Sequence, residues 1–184
     1  VLYMGAEYCP FCATERWALV AALSRFGRFE GLQLTHSASD DTYPDTQTFT
    51  FHGSRFDSPY VVFQPVEMKT NRYANLETPT PEQRHLMLTY GGPPYFAPSS
   101  TGGIPFIDLG GKYLVSGASY DPSVLQGKSA TDITIEMGDP SRPVSQGAVG
   151  SANALTEAIC GLTGNTPANV CSDPVFAAIA VRFK

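Results

Sequence analysis

A short, mostly apolar run, residues 2–6, opens the chain, and apolar residues then recur at helical spacing as Trp17, Leu19, Val20, Leu23 and Phe26. The run fits a buried strand. The spaced residues fit a helix over residues 13–25 that turns one stripe to the core and stops at Gly27. Residues 32–37 read as a second strand, reached by a turn at Glu30-Gly31. A parallel return to the same sheet needs a helical crossover, so strand, helix and strand read as a βαβ unit.

Residues 39–45 are polar and turn-rich, residues 46–53 alternate with Phe49 and Phe51 on one face, and residues 60–68 are again β-rich. Gly53-Ser54 and Asp57-Ser58-Pro59 interrupt the connection. Thr80-Pro81 opens a weak helix with Glu82, Gln83 and Arg84 in its first turn. The Pro- and Gly-rich residues 91–103 predict a loop. Residues 103–109, the pair Gly110-Gly111 and residues 112–116 predict an antiparallel hairpin with a two-residue turn. Asp121-Pro122 starts a short helix, a mixed segment runs to Met137, a helix covers about 146–162, and Asp173-Pro174 caps a last helix to Arg182. The pattern predicts an α/β chain with a central mixed sheet flanked by helices. We read one domain over residues 1–184, with inserted strands at about 39–78 and extra C-terminal helices at about 145–184.

With 184 residues and a formal net charge of -5, the chain offers no electrostatic case for nucleic acid. No apolar run approaches the roughly 20 residues that span a bilayer. The chain opens on Val1 inside a strand, so a preceding segment with a signal or a membrane anchor is expected.

The chemistry sits in Cys9-Pro10-Phe11-Cys12, at the junction of the first strand and helix. Two thiols three residues apart can close a small ring. The helix N-terminus offers free N–H groups and partial positive charge that favour a thiolate on Cys9. Cys9 is the expected attacking thiol, Pro10 suits the first helical position, and Cys12 is the expected resolving thiol. A structural disulfide or half a zinc site are the alternatives. Zinc fits poorly, because Cys160 and Cys171 are too widely spaced and His36, His52 and His85 lie in separate segments. Cys160 and Cys171 read as a structural disulfide, with a second redox pair left open. Glu7 and Glu15 are candidates for relaying the proton of Cys12. Otherwise Glu15 is a first-turn acid that suits the helix dipole and Glu7 a solvated loop residue. Tyr8 and Phe11 form an apolar rim or simply pack, and Trp17 belongs to the core. No organic cofactor and no metal is required, since the disulfide itself carries two electrons. An even cysteine count and a low charged fraction suit an oxidising compartment.

In order, these elements resemble the thioredoxin fold over roughly residues 2–162. In thioredoxin-like proteins a cis-proline packs beside the CxxC, and the residue before it pairs with the bound peptide. The resemblance therefore implies Pro105 as that proline and Ile104 as the peptide-binding position. Pro-Phe between the cysteines resembles the Pro-Tyr of glutaredoxins and the Pro-His of periplasmic oxidases more than the Gly-Pro of thioredoxin. Tyr8 stands where thioredoxin has Trp. The inserted strands and the second cysteine pair have no counterpart in the minimal fold. The longer string Gly5-Ala6-Glu7-Tyr8-Cys9-Pro10-Phe11-Cys12-Ala13-Thr14-Glu15-Arg16-Trp17 is similar to a bacterial and archaeal family, domain of unknown function nine-two-nine. Ile159-Cys160 and Val170-Cys171 add to that similarity, and members of the family tend to be anchored in the membrane by an N-terminal segment. Together the resemblances imply an extracytoplasmic, tethered thiol–disulfide oxidoreductase, an oxidase or isomerase rather than a general reductant. Its partners would be thiols and disulfides of exported proteins and a membrane redox protein. A non-catalytic binding module with the CxxC as a fixed disulfide is the alternative.

Overall fold

The computed structural model describes residues 1–180. Along the chain run β1 (Leu2–Gly5), α1 (Pro10–Leu23), β2 (Arg28–Glu30), β3 (Gln33–His36), β4 (Gln47–Thr50), β5 (Arg55–Asp57) and β6 (Gln64–Glu67). There follow α2 (Pro81–Tyr90), β7 (Phe106–Leu109), β8 (Tyr113–Ser116), α3 (Ala130–Met137), α4 (Gly150–Leu162), α5 (Ala168–Cys171) and α6 (Pro174–Ala180). The expected extension of the last helix to Arg182 ends outside the described residues.

β6, β1, β7 and β8 hydrogen-bond in that order into a mixed sheet. β1 runs parallel to β6 and antiparallel to β7, and β7 pairs antiparallel with β8. Gly110 and Gly111 both adopt positive φ (63° and 68°), the left-handed backbone that a two-residue hairpin turn demands. The parallel return is therefore Gln64–Glu67. The expected return over residues 32–37 is corrected: β3 pairs antiparallel with β4 in a separate two-stranded sheet. Local pattern marks a strand, but its partner is decided by tertiary packing. β2 and β5 form a third small sheet. Residues 60–63, read as strand, are not strand, and α3 falls in the segment that periodicity left mixed.

β1 is buried at all four positions, because the sheet is covered on both faces. Tyr3 and Ile107 point to one side and pack with Leu19 and Leu23 of α1 and Leu155 and Ile159 of α4. Leu2, Met4 and Phe106 point to the other and pack with Val66 and with Met87 of α2. Burying Leu19 or Leu23 stabilises the fold by roughly 1.5–3 kcal/mol each. Trp17, expected in the core, joins a third cluster with Leu125, Ile133 and Val144, and its indole N–H donates to the Gln47 carbonyl at 2.9 Å. A single π-helical turn, Ser145–Val149, leads into α4. Among the described residues no helix is long and apolar enough to cross a membrane.

Cys160, at the buried end of α4, is disulfide-linked to Cys171 on α5. The two cysteines are 11 positions apart in the chain. Replacing both cysteines by alanine is expected to lower unfolding stability by about 3 kcal/mol. Urea unfolding of parent and variant measures it, and an unchanged midpoint would mean that the clip is idle.

Candidate functional site

β1 ends at Gly5, opposite Glu67 on β6, and β7 begins at Phe106, opposite Met4. The two residues before β7, Ile104 and Pro105, therefore fall beside the loop that leaves β1. Their peptide bond is cis. The Cys9 Sγ lies 3.9 Å from the Ile104 carbonyl oxygen. The topology thus brings together Cys9, Cys12, Ile104 and Pro105.

Cys9 is the N-cap of α1, with extended backbone (φ -77°, ψ 119°), and Pro10 takes the first turn, where its missing N–H costs nothing. The Cys9 sulfur accepts the backbone N–H of Cys12 at 3.2 Å, the bond that Ser or Asp makes in an ordinary cap. Both sulfurs lie close to the interior: Cys9 is 5% exposed and Cys12 0%. Cys9 is the more exposed of the two, but its access is narrow.

The two thiols are driven apart. Cys9 is held below the ordinary thiol range, first by the Cys12 side-chain hydrogen bond, against burial, then by backbone N–H groups and the charge of Arg16. Cys12 is pushed well up by burial, then by its hydrogen bond with Cys9 and the charge there, with Arg16 and the Ala6 backbone opposing. A coupled pair so arranged ionises on Cys9 first.

The aromatic residues of the motif each pack against another ring. Phe11 is 40% exposed and meets Tyr43 edge-on at 6.0 Å, while Tyr8 packs against Tyr73 at 4.7 Å. Tyr43 and Tyr73 come from loops between α1 and α2. Neither was singled out in the sequence, since both lie far along the chain from the cysteines. The Tyr73 hydroxyl donates to Asp40 at 2.9 Å.

Glu7 is half-buried, and its Oε2 accepts the Asn71 N–H at 3.3 Å. Glu15 was expected in the first helical turn, but α1 has no acid there. It sits one turn on, fully buried, and accepts both the backbone N–H and the hydroxyl of Ser119, at 2.8 and 3.0 Å. Among the described residues neither carboxylate bonds to a cysteine. His36 lies 3.3 Å from Asp45 and His52 2.7 Å from Glu77. No cluster of three or more His, Cys, Asp or Glu residues among those described is placed to hold a metal ion.

The sequence reading passed over one pair beneath the site. Arg16 and Glu67 are both 0% exposed and form a two-pronged ion pair, Nε to Oε1 at 2.8 Å and Nη2 to Oε2 at 2.7 Å. Nη2 also donates to the Ala6 carbonyl at 2.8 Å. A signal existed: Arg16 is four residues after Cys12, so it shares the face of the helix that carries the sulfurs.

Fold and site together define a mixed α/β protein whose two unlinked cysteines begin a helix beside an X-Pro turn. The chain belongs to the family described as Domain of unknown function (DUF929), whose model matches residues 1–161. No curated protein and no solved structure matches it.

Burial raises the Glu15 carboxyl from its ordinary 4.5 to about 7. The folded state therefore holds this proton more tightly than the unfolded chain. The resulting stabilisation is complete below about pH 4.5 and is lost as the pH rises through about 7, on the order of 3 kcal/mol in all. Glu15→Gln is expected to flatten the fall in stability over that window. Urea unfolding of parent and variant across the window reads it, and parallel profiles would contradict the assignment.

Proposed function

We propose that this protein is a thiol–disulfide oxidoreductase of thioredoxin-like fold, acting on the cysteines of exported proteins. The sheet order, with β1 flanked by a parallel and an antiparallel partner, and cis-Pro105 beside the CxxC support that fold. One observation carries the activity: the Cys9 sulfur caps α1, takes the Cys12 N–H, and lies against the Ile104 carbonyl. A thiolate there gains from the helix amides.

Stabilising the Cys9 thiolate stabilises the reduced pair, which makes the disulfide form the stronger oxidant and favours transfer of disulfides to substrates. In that direction a substrate thiolate attacks Cys9 Sγ of the Cys9–Cys12 disulfide, and Cys12 leaves as a thiolate and takes up a proton. A second substrate thiolate then attacks its partner sulfur in the mixed disulfide and releases the Cys9 thiolate. The substrate loses two electrons and the pair gains them. A protein disulfide of a membrane redox partner, acting as oxidant, regenerates the pair by the same exchange. Ile104 offers backbone groups to an extended substrate segment, and Tyr8 and Phe11 flank it. The Cys160–Cys171 disulfide supports an extracytoplasmic compartment.

A second reading has its own support. Cys9 is only 5% exposed, which suits a non-catalytic thioredoxin-like binding module whose CxxC is a fixed disulfide. Cys12→Ser separates the two. Exchange predicts that the Cys9 thiolate of this variant attacks disulfides of oxidised, unfolded proteins, releasing one substrate thiol and accumulating mixed disulfides seen on non-reducing gels, and that Cys9→Ser together with Cys12→Ser abolishes them. Equal adduct from both variants would favour the binding module.

A further inference from the structure

Residues 9, 12 and 16 lie on one face of α1, so the Arg16 guanidinium stands one turn beneath Cys12. It is wholly buried, and its orientation is fixed by Glu67 on one side and the Ala6 carbonyl on the other. Its Nη1 makes no hydrogen bond among the described residues, and neither does the equally buried Tyr3 hydroxyl, whose ring lies under the guanidinium at 5.9 Å. A buried guanidinium left partly unsatisfied is costly, which points to a use beyond packing.

Resting on the exchange reading above, we propose that Arg16 is the positioning residue that lets Cys12 ionise as it attacks the mixed disulfide on Cys9. Glu67 sets how much of the guanidinium charge reaches that sulfur. The charged and titratable groups facing Cys12 are Cys9 and Arg16 on α1, Tyr3 on β1 and, through Arg16, Glu67 on β6. Glu15 is bonded to Ser119 instead. In the resting dithiol, burial, then the hydrogen bond with Cys9 and the charge there, push the Cys12 thiol up, so Cys9 ionises first. Once Cys9 is joined to a sulfur of the oxidising partner, it can no longer ionise. Burial then opposes ionisation and the guanidinium favours it, so Arg16 becomes the dominant electrostatic influence at the moment Cys12 must act.

The step balances without a further reagent. Cys12 gives up its proton, and its thiolate attacks Cys9 Sγ. The Cys9–Cys12 bond forms as the bond from Cys9 to the sulfur of the oxidising partner breaks, the step that regenerates the pair. The partner sulfur leaves with the electron pair and takes up the proton. Arg16 stays charged throughout.

The test uses reduced protein and dithiobis-nitrobenzoate, whose released thiolate is coloured. A first equivalent reports attack by Cys9 and a second reports closure by Cys12. Arg16→Met is expected to slow the second phase about tenfold near neutral pH and to displace its pH profile upward by about one unit. Arg16→Lys, which keeps a charge, restores most of the profile. Glu67→Gln, which keeps the guanidinium and removes its counter-charge, displaces the profile downward. If Arg16→Met does not fold, as circular dichroism would reveal, the opposite behaviour of Glu67→Gln carries the test. An unchanged second phase in the Arg16 variants, or a Glu67→Gln displacement in the upward direction, overturns the proposal and leaves the exchange reading intact. A parent protein that releases no first equivalent overturns that reading itself.

Discussion

A fully buried ion pair, Arg16 with Glu67, fixes the helix that carries both cysteines against β6, the strand that closes one side of the sheet. Removing one partner of such a pair costs roughly 3–5 kcal/mol, because the other charge is left stranded, whereas replacing both by well-packed apolar groups is often neutral. The pair is therefore better understood as a device for placement than for stability. It sets the height of α1 over the end of β1. The Cys9 cap, the Cys12 sulfur and the Ala6 carbonyl all take their positions from that.

The segments between α1 and α2 are tied to the same device. Glu67 also accepts the Phe51 N–H at 3.4 Å, and Glu77 holds both the Glu67 N–H and the His52 ring, at 2.7 Å each. On the other side of α1, the Thr48 hydroxyl donates to the Ala13 carbonyl at 2.8 Å. The region between α1 and α2 thus packs against the helix that carries the cysteines and supplies Tyr43 and Tyr73, which meet Phe11 and Tyr8. A smaller domain without that region would leave Cys9 more open. Here the sulfur is nearly covered, so the exchange proposed above would require a substrate cysteine presented on a thin, extended segment.

Much of this was legible in the chain. The apolar run at residues 2–6, the helical stripe ending at Phe26, Thr80-Pro81 and the Gly110-Gly111 hairpin each carry a local signal strong enough to survive packing, and each is found. The cysteine pairing at Cys160 and Cys171 followed from spacing alone. What failed was non-local. The partner of β1 is β6 rather than residues 32–37, since a strand's alternation does not say which neighbour it will choose. Trp17 read as core and is core, but α1 is buried on nearly every side, so its polar residues are inside as well. Glu15 read as a proton relay for Cys12 or else as a first-turn acid serving the helix dipole. It is interior because Ser119, more than a hundred residues away, satisfies both of its oxygens. Arg16 escaped notice for the same reason, its partner lying on a strand 51 residues later.

The central physical claim is that the Cys9–Cys12 pair is a working couple rather than a fixed bond. The reduction potential of this pair, measured by equilibration against a glutathione or dithiothreitol buffer with Cys160 and Cys171 left linked, tests it most directly. A value well above about -300 mV is expected, because the capped Cys9 thiolate stabilises the reduced form. A value below that bound would contradict it and make the disulfide structural.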